Sequence, residues 1–307
     1  MPAPPAKNDI SGSGATPSNA QARAGFGALW ETLFGTAGLL GSTGAQVDAW
    51  KALGLSTDGS TGDRNLLING NFLINQRGYV SGTATTGANQ FTVDRWRVTT
   101  AGQNLTFGPP GPDVVATAPA GGVVQVVEGQ IVAGGVYTLS WAGSATATVN
   151  GVAIANGGNT ASLPANTNII VEFKGGFVTR AQLELGTNAT PYQRRHPTYE
   201  RLLCQRYFRL GGRELQGIWV NSNICRFKWG INPPMRTTPS VALTTSSFAV
   251  EDWSQASYPT TTGSLNLVNV AAPNFCDFNL QGWAGGTTTA RFAASLTSDI
   301  VALTAEL

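Results

Sequence analysis

The feature that most constrains the fold of this 307-residue chain is a series of short runs in which apolar and polar residues alternate. Successive side chains of a strand point to opposite faces, so a period of two predicts strands with one buried face each. The clearest runs lie at 137–141, 146–149, 152–154, 169–174, 181–185 and 225–231. Many short strands at this spacing favour an antiparallel sandwich or jelly roll over a fold that alternates strands with helices.

Two of these runs are joined by a hairpin signal. Asn150 and Gly151 separate the run that ends at Val149 from the run that begins at Val152. Both central residues of the favoured two-residue turn need a positive φ, which asparagine and glycine tolerate best. The pair therefore predicts a tight antiparallel hairpin.

One helix is predicted to interrupt the β pattern, at 197–213. Pro197 and Thr198 start it, with Thr198 as N-cap, and the pair Gly211-Gly212 ends it. Its apolar stripe has helical spacing and consists of Tyr199, Leu203, Tyr207 and Leu210. Further strands are predicted at 241–243, 248–250, 265–270, 275–280, 291–296 and 300–307.

The first 63 residues have a different character. Residues 1–16 are rich in Pro, Gly, Ser and Ala, which predicts a flexible segment. Residues 17–63 predict a helical attachment segment that ends in a polar linker. Its apolar stripe consists of Phe26, Trp30, Leu33 and Phe34. So short a segment cannot bury this surface alone, so we expect it to associate with itself or to dock on a partner.

The expected architecture is therefore mainly β. Two antiparallel, jelly-roll-like β-sandwich domains are expected at 64–196 and 214–307, with the 197–213 helix between them and the small helical segment before them.

Composition excludes several classes of protein. Charged residues make up 12% of the chain, about half of the usual 25%, and the formal net charge is +2. So small a net charge gives no whole-chain argument for nucleic-acid binding.

The N-terminus does not resemble a signal peptide, and no run of about 18 apolar residues predicts a membrane span. The widely spaced Cys204, Cys225 and Cys276 predict buried, reduced thiols.

Residues with catalytic chemistry are scarce. His196 is the one histidine, and its place at a helix start suits a surface or subunit-contact residue better than a catalytic one. The chain has no phosphate-binding loop and no dinucleotide fingerprint between a strand and a helix. A pair of carboxylates for glycoside hydrolysis could come only from the last domain, from Glu251, Asp252, Asp277 and Asp299. We expect no enzymatic activity, no metal and no cofactor.

The one charge cluster is basic. Between Arg194 and Arg236 there are nine Lys or Arg and two acids, Glu200 and Glu214. Three interpretations stay open. The first and most favoured expects the arginines to bond carbonyls and carboxylates, some of them in other subunits. The second expects them to bind an anionic ligand at a cell surface, and the third, least favoured, expects them to bind nucleic acid.

Aromatic residues in the last domain suggest a binding site. Trp253, Tyr258 and Trp283 are flanked by Asp, Gln, Ser, Pro or Gly, which is typical of loops. Rings in loops stack on sugars or act as hot spots of protein interfaces. These three residues and Asp252 are the candidates for contact with a receptor, although packing in the core or between subunits is the more favoured role for each ring taken singly.

Several segments together resemble one family. Three segments resemble a β-sandwich module of tailed-phage fibre proteins and the helix that follows it. They are NLLINGNFLINQRG at 65–78, FTVDRW at 91–96 and AQLELGTNATPYQRRHPTYERLLCQRYF at 181–208. PPMRTTPSV at 233–241 and LTAEL at 303–307 resemble the last strands of the tip domain of such fibres. The N-terminal segment is similar to their attachment segment.

The resemblance implies a homotrimeric tail fibre or receptor-binding protein of the virion. Its N-terminus would dock on tail or baseplate proteins, and its C-terminal domain would contact a bacterial surface glycan such as lipopolysaccharide, or a surface protein. Three weak tip sites per fibre would act together through avidity. The alternatives are a tail-borne glycan depolymerase or esterase that uses carboxylates of the last domain, and a binding module of a cellular injection particle.

Overall fold

The computed structural model describes residues 63–213, 215–252, 257–283 and 293–307. The predicted flexible segment 1–16, nearly all of the predicted helical segment 17–63, and with it Phe26, Trp30, Leu33 and Phe34, lie outside these residues. The described part is mainly β, with antiparallel sheets and one α-helix. The predicted fold class is confirmed at this level.

The strands are short, as the alternating runs predict. In the first half they are β1 (Gln90–Phe91), β2 (Arg97–Val98), β3 (Thr106–Phe107), β4 (Ala116–Ala118), β5 (Val123–Val127), β6 (Tyr137–Ala142), β7 (Thr146–Val149), β8 (Val152–Ile154), β9 (Gly158–Asn159), β10 (Ile169–Lys174) and β11 (Gly176–Leu185). A short 3-10 helix spans Gly129–Ile131. The helix α1 (Pro197–Gln205) follows.

The second half continues the pattern. Its strands are β12 (Phe208–Gly211), β13 (Gln216–Asn221), β14 (Ile224–Gly230), β15 (Ser240–Leu243), β16 (Phe248–Asp252), β17 (Ser257–Thr260), β18 (Ser264–Ala272), β19 (Phe275–Gln281), β20 (Ala293–Leu296) and β21 (Val301–Thr304).

The strands before α1 form two sheets that share one hydrophobic core. The six-stranded sheet has the order β1-β2-β5-β10-β7-β8, and the five-stranded sheet has the order β3-β4-β11-β6-β9. Val171 and Phe173 of the first sheet and Leu139 and Leu183 of the second are fully buried in this core. The alternating apolar residues of β6, β10 and β11 therefore contribute to this shared core, as the period of two requires.

Two local features hold this part together. Asn150 and Gly151 both have positive φ in the β7–β8 turn, so the predicted hairpin is confirmed. Gly70 lies so close to β11 that a Cβ there would collide with the carbonyl oxygen of Ala181. The absence of a side chain at Gly70 lets the loop hydrogen-bond to β11, because the N–H of Ala181 donates to the Gly70 carbonyl at 2.8 Å.

The strands after α1 form two more antiparallel sheets around a second core. The three-stranded sheet is ordered β12-β21-β15, and the seven-stranded sheet is ordered β17-β16-β20-β13-β14-β19-β18. Phe227 and Trp229 of the large sheet and Val301 and Leu303 of the small sheet are buried in this core. The thiols of Cys204, Cys225 and Cys276 are free and fully buried, as predicted. Burial raises the pKa of Cys225 to about 12.

The helix differs from the prediction at both ends. His196, not Thr198, is the N-cap, and its ring nitrogen Nδ1 accepts from the N–H of Thr198 at 3.3 Å. Pro197 occupies the first helical turn, and the cap lies two residues earlier than predicted. The predicted end near residue 213 is also wrong, because α1 ends at Gln205 and Leu210 lies in β12. Pairing of β12 with β21 overrides the helical spacing of Leu210.

Candidate functional site

The predicted receptor-binding aromatic residues do not form one exposed cluster. Trp283 is 4% exposed and packs edge-to-face against Trp219, with ring centroids 5.3 Å apart. Trp283 lies in the loop two residues after the end of β19, as its polar neighbours suggest, but its ring packs in the second core. The burial of Trp283 agrees with the core packing that the sequence also allowed, and it leaves little of the ring for a receptor in this chain.

The other predicted binding residues have separate outcomes. Tyr258 in β17 is half-buried and also contacts Trp219 edge-to-face, at 5.4 Å between centroids. Asp252 is the last residue of β16, and Trp253 lies outside the described residues. Contact of Tyr258, Asp252 and Trp253 with a receptor stays a prediction.

A groove on the outer face of the seven-stranded sheet is the candidate site. It has a volume of about 320 Å³ and is lined by Gln216, Gly217, Ile218, Arg226 and Lys228. These residues belong to the neighbouring strands β13 and β14, which pair with Gln216 opposite Lys228 and Ile218 opposite Arg226. Trp219, Phe227 and Trp229 alternate with the groove residues and point to the core.

The electrostatics of the groove are set by one ion pair and one further cation. Arg226 donates from Nε to Asp277 Oδ1 at 2.8 Å and from Nη2 to Oδ2, so the pair is bidentate. This hydrogen-bonded carboxylate raises the pKa of Arg226. Lys228 is exposed, and within the described ranges it forms no ion pair. Two cations and one carboxylate leave the groove with one excess positive charge.

None of the residues that line this groove is among those predicted from the sequence to contact a receptor. The sequence carried a signal for it, because Arg226 and Lys228 alternate with the apolar residues of β14 and so must share its outer face. The pairing of β14 with β13, which adds Gln216 and Ile218, is a tertiary contact that the alternation of one strand cannot show.

Glu251 and Asp277 of this sheet are too far apart for the usual glycosidase pair. Across the sheet the register runs from Glu251 to Ser295, Gln216, Lys228 and Asp277. Four strand spacings of about 4.8 Å separate Glu251 from Asp277, roughly 19 Å in total. Retaining and inverting pairs need about 5 to 10 Å, so these two residues do not form one.

Six of the eight arginines in the basic cluster bond to acceptor groups within the chain. Four arginines pair with carboxylates: Arg194 with Asp113, Arg195 with Asp63 and Glu200, Arg206 with Glu128, and Arg226 with Asp277. Arg209 donates to the carbonyl oxygen of Asn232 at 3.0 Å, and Arg236 to that of Ala305 at 2.9 Å. The prediction that these arginines bond carbonyls and carboxylates is confirmed. Contacts with other subunits stay a prediction.

The end of the chain docks on the first core through a second set of buried charges, which we call the C-terminal clasp: Arg77, Arg95, Arg97, Glu306 and Leu307. Glu306 accepts from Arg77 at 2.7 Å and from Arg95, while Arg97 donates to the carbonyl oxygen of Leu307 at 2.8 Å. Arg95 also lies 3.5 Å above the ring centre of Tyr207. The clasp joins residues more than 200 positions apart in sequence.

A buried acid lies beside the clasp. Asp94 is 1% exposed and accepts from the N–H of Gln76. Burial raises its pKa to about 6, against the opposing effects of the Gln76 hydrogen bond and the Arg77 charge. Asp94 thus keeps a proton to a higher pH in the folded protein than in the unfolded chain.

The segments that carry the family resemblance meet in the same region. Asn65 donates to the carbonyl oxygen of Ala181 at 3.0 Å, and Asn69 donates to that of Asp94 at 2.9 Å. The N–H of Asn69 donates to Glu200 of α1. The 65–78, 91–96 and 181–208 motifs are thus joined to one another by hydrogen bonds of buried groups.

No described helix is long and apolar enough to cross a membrane. Within the described ranges, no three His, Cys, Asp or Glu side chains come together as metal ligands would.

The fold and the groove define a mainly β protein of antiparallel sheets with an open polar and aliphatic groove on its largest sheet. No family model, no curated protein and no solved structure matches this chain.

Proposed function

We propose that the chain is a receptor-binding protein of the tail-fibre class, built from two jelly-roll-like β-sandwich units and active as a homotrimer in a virion. The observation that carries the proposal is the open outer face of the seven-stranded sheet. There Gln216, Ile218 and Lys228 present an amide, an aliphatic surface and a cation side by side. Such a mixed surface suits adhesion, which needs contact and orientation but no reacting group.

The family resemblance supports the same function. Its motifs lie in one hydrogen-bonded unit before and within α1, while the groove lies beyond α1 in the other half of the chain. A shared scaffold that carries a separate binding surface is the arrangement expected of a protein whose receptor varies between hosts.

The proposal assigns attachment to the N-terminal residues. Phe26, Trp30, Leu33 and Phe34 would form the apolar stripe that docks on the tail or baseplate. A chain that lacks residues 1–55 should still form a trimer and bind cells but should no longer join particles. If the shortened chain still joins particles, the attachment role of this segment is wrong.

Surface binding is tested with the full-length chain. We expect fluorescently labelled protein to bind saturably to cells of a permissive strain within a panel of bacteria, and to lose binding when the surface glycan or the surface protein receptor is removed. Uniform absence of saturable binding to strains that adsorb the parent particle would contradict the proposal.

An assay with polysaccharide from the same cells distinguishes adhesion from hydrolysis. Purified host polysaccharide incubated with the chain should yield no new reducing ends. Release of oligosaccharides that Glu251→Gln or Asp252→Asn abolishes would favour the depolymerase alternative instead.

A further inference from the structure

We propose that the groove between β13 and β14 binds an anionic sugar, one that carries a carboxylate or a phosphate. This inference rests on the proposed receptor-binding function and narrows it to one ligand class and one place on the sheet. The residues that would contact the sugar are Gln216, Ile218, Arg226 and Lys228.

Charge is the first argument. Asp277 lies directly opposite Lys228 in the β14–β19 register, yet its two carboxylate oxygens bond the guanidinium of the diagonal neighbour Arg226. The ammonium group of Lys228 forms no ion pair within the described ranges. It is therefore ready to bind an anion, and a charge-assisted hydrogen bond is about twice as strong as a neutral one.

Pre-organisation is the second argument. The bidentate pair with Asp277 uses Nε and Nη2 of Arg226 and fixes the plane of its guanidinium. The third nitrogen, Nη1, has no acceptor among the described residues and can donate to a ligand. A fixed guanidinium beside an open ammonium group is suited to a carboxylate or phosphate, because little conformational freedom is lost on binding.

The apolar part of the face is the third argument. Ile218 is 43% exposed on β13, and Val220 two residues further is 56% exposed on the same face. A sugar ring presents aliphatic C–H groups as well as hydroxyls, so an aliphatic patch beside the Gln216 amide matches both kinds of surface. A groove of about 320 Å³ is at the small end of ligand pockets, which fits one or two sugar units.

Binding is measured by ligand-observed NMR on the full-length chain with two matched probe pairs. Methyl galacturonoside is compared with methyl galactoside, and glucose 6-phosphate with glucose, at up to about 10 mM because a single site of this kind is weak. We expect at least one charged probe to bind roughly tenfold more tightly than its neutral partner. The pair that shows this difference distinguishes a carboxylated from a phosphorylated receptor.

Variants of Lys228 locate the site. Lys228→Gln should weaken binding of the charged probe roughly tenfold, and Lys228→Arg should retain most of it because the charge is kept. Lys174→Gln is the matched control, since Lys174 is also a lysine on a strand, but it pairs with Glu172 at 3.1 Å in the other half of the chain. Lys174→Gln should bind as the wild type does.

Three results with the purified protein would overturn the inference: equal binding of charged and neutral probes, unchanged binding by Lys228→Gln, or a change of oligomeric mass in Lys228→Gln. The last would make the groove a contact between copies of the chain. Cell binding keeps the two proposals apart. If wild type and Lys228→Gln adsorb equally to cells, the groove inference fails and the receptor-binding function stands. If the wild type does not adsorb to a permissive strain, the proposed function itself fails.

Discussion

Replacing Glu306 with glutamine removes the charge at the centre of the C-terminal clasp. The carboxylate is 2.7 Å from Arg77 and also bonds Arg95, and the side chains of Glu306 and Arg95 are only 6% and 2% exposed. At 2.7 Å and an effective dielectric constant near 20, one such pair has a Coulomb energy of about 6 kcal/mol before desolvation. Because the substitution leaves two buried guanidinium groups without their counter-ion, we expect a loss of about 3 kcal/mol in the free energy of unfolding.

Urea unfolding of Glu306→Gln beside the wild type measures this loss. Glu172→Gln is the control, because Glu172 pairs with the half-exposed Lys174 and such a pair contributes about 0–1 kcal/mol. Hydrogen exchange should also quicken at the N–H of Ala305, which donates to the carbonyl oxygen of Tyr207 at 2.7 Å beside the clasp. A loss for Glu306→Gln no larger than that for Glu172→Gln would refute the reasoning.

Two further predictions concern stability. The pKa of Asp94 is raised from 3.8 to about 6 in the folded protein, so protonation of Asp94 favours the folded state. The contribution of Asp94 to the free energy of unfolding is therefore fully present below about pH 4 and is lost as the pH rises through 6. Asp94→Asn should flatten this part of the curve of unfolding free energy against pH, and an unchanged curve would contradict the assignment. Trp283→Ala should lower the free energy of unfolding by about 3–5 kcal/mol because it empties a core site. Trp253→Ala should cut cell adsorption at unchanged melting temperature, and loss of the trimer in that variant would mean that Trp253 is a packing residue.

Local patterns predicted part of the fold, including β6–β8, β10, β11 and β14, but not β1–β5 or β13. The 137–141 and 169–174 alternations became β6 and β10, and Asn150-Gly151 became the predicted turn, because each signal depends on neighbours in sequence. The end of α1 was mispredicted for the opposite reason. Leu210 continues the helical spacing, but its backbone pairs with Ala302 of β21, and no local pattern reports a partner so distant in sequence.

The candidate site was harder to predict than the fold. Polar neighbours of Trp283 suggested an exposed ring, yet burial depends on the direction in which the chain leaves β19. The outward position of Lys228 could be read from the alternation in β14, whereas its place beside Gln216 depends on strand pairing. The ion pairs of Arg95 and Glu306 likewise join the two ends of the described chain and have no signature in either segment.

The molecular mass of the purified full-length chain in solution, measured by sedimentation equilibrium, tests the central claim most directly. That claim is that three copies of the chain act as one adhesive unit. Since one chain has a mass of 32.0 kDa, the account predicts a single species of three times that value, about 96 kDa. A single species of 32.0 kDa across the concentration range would contradict it.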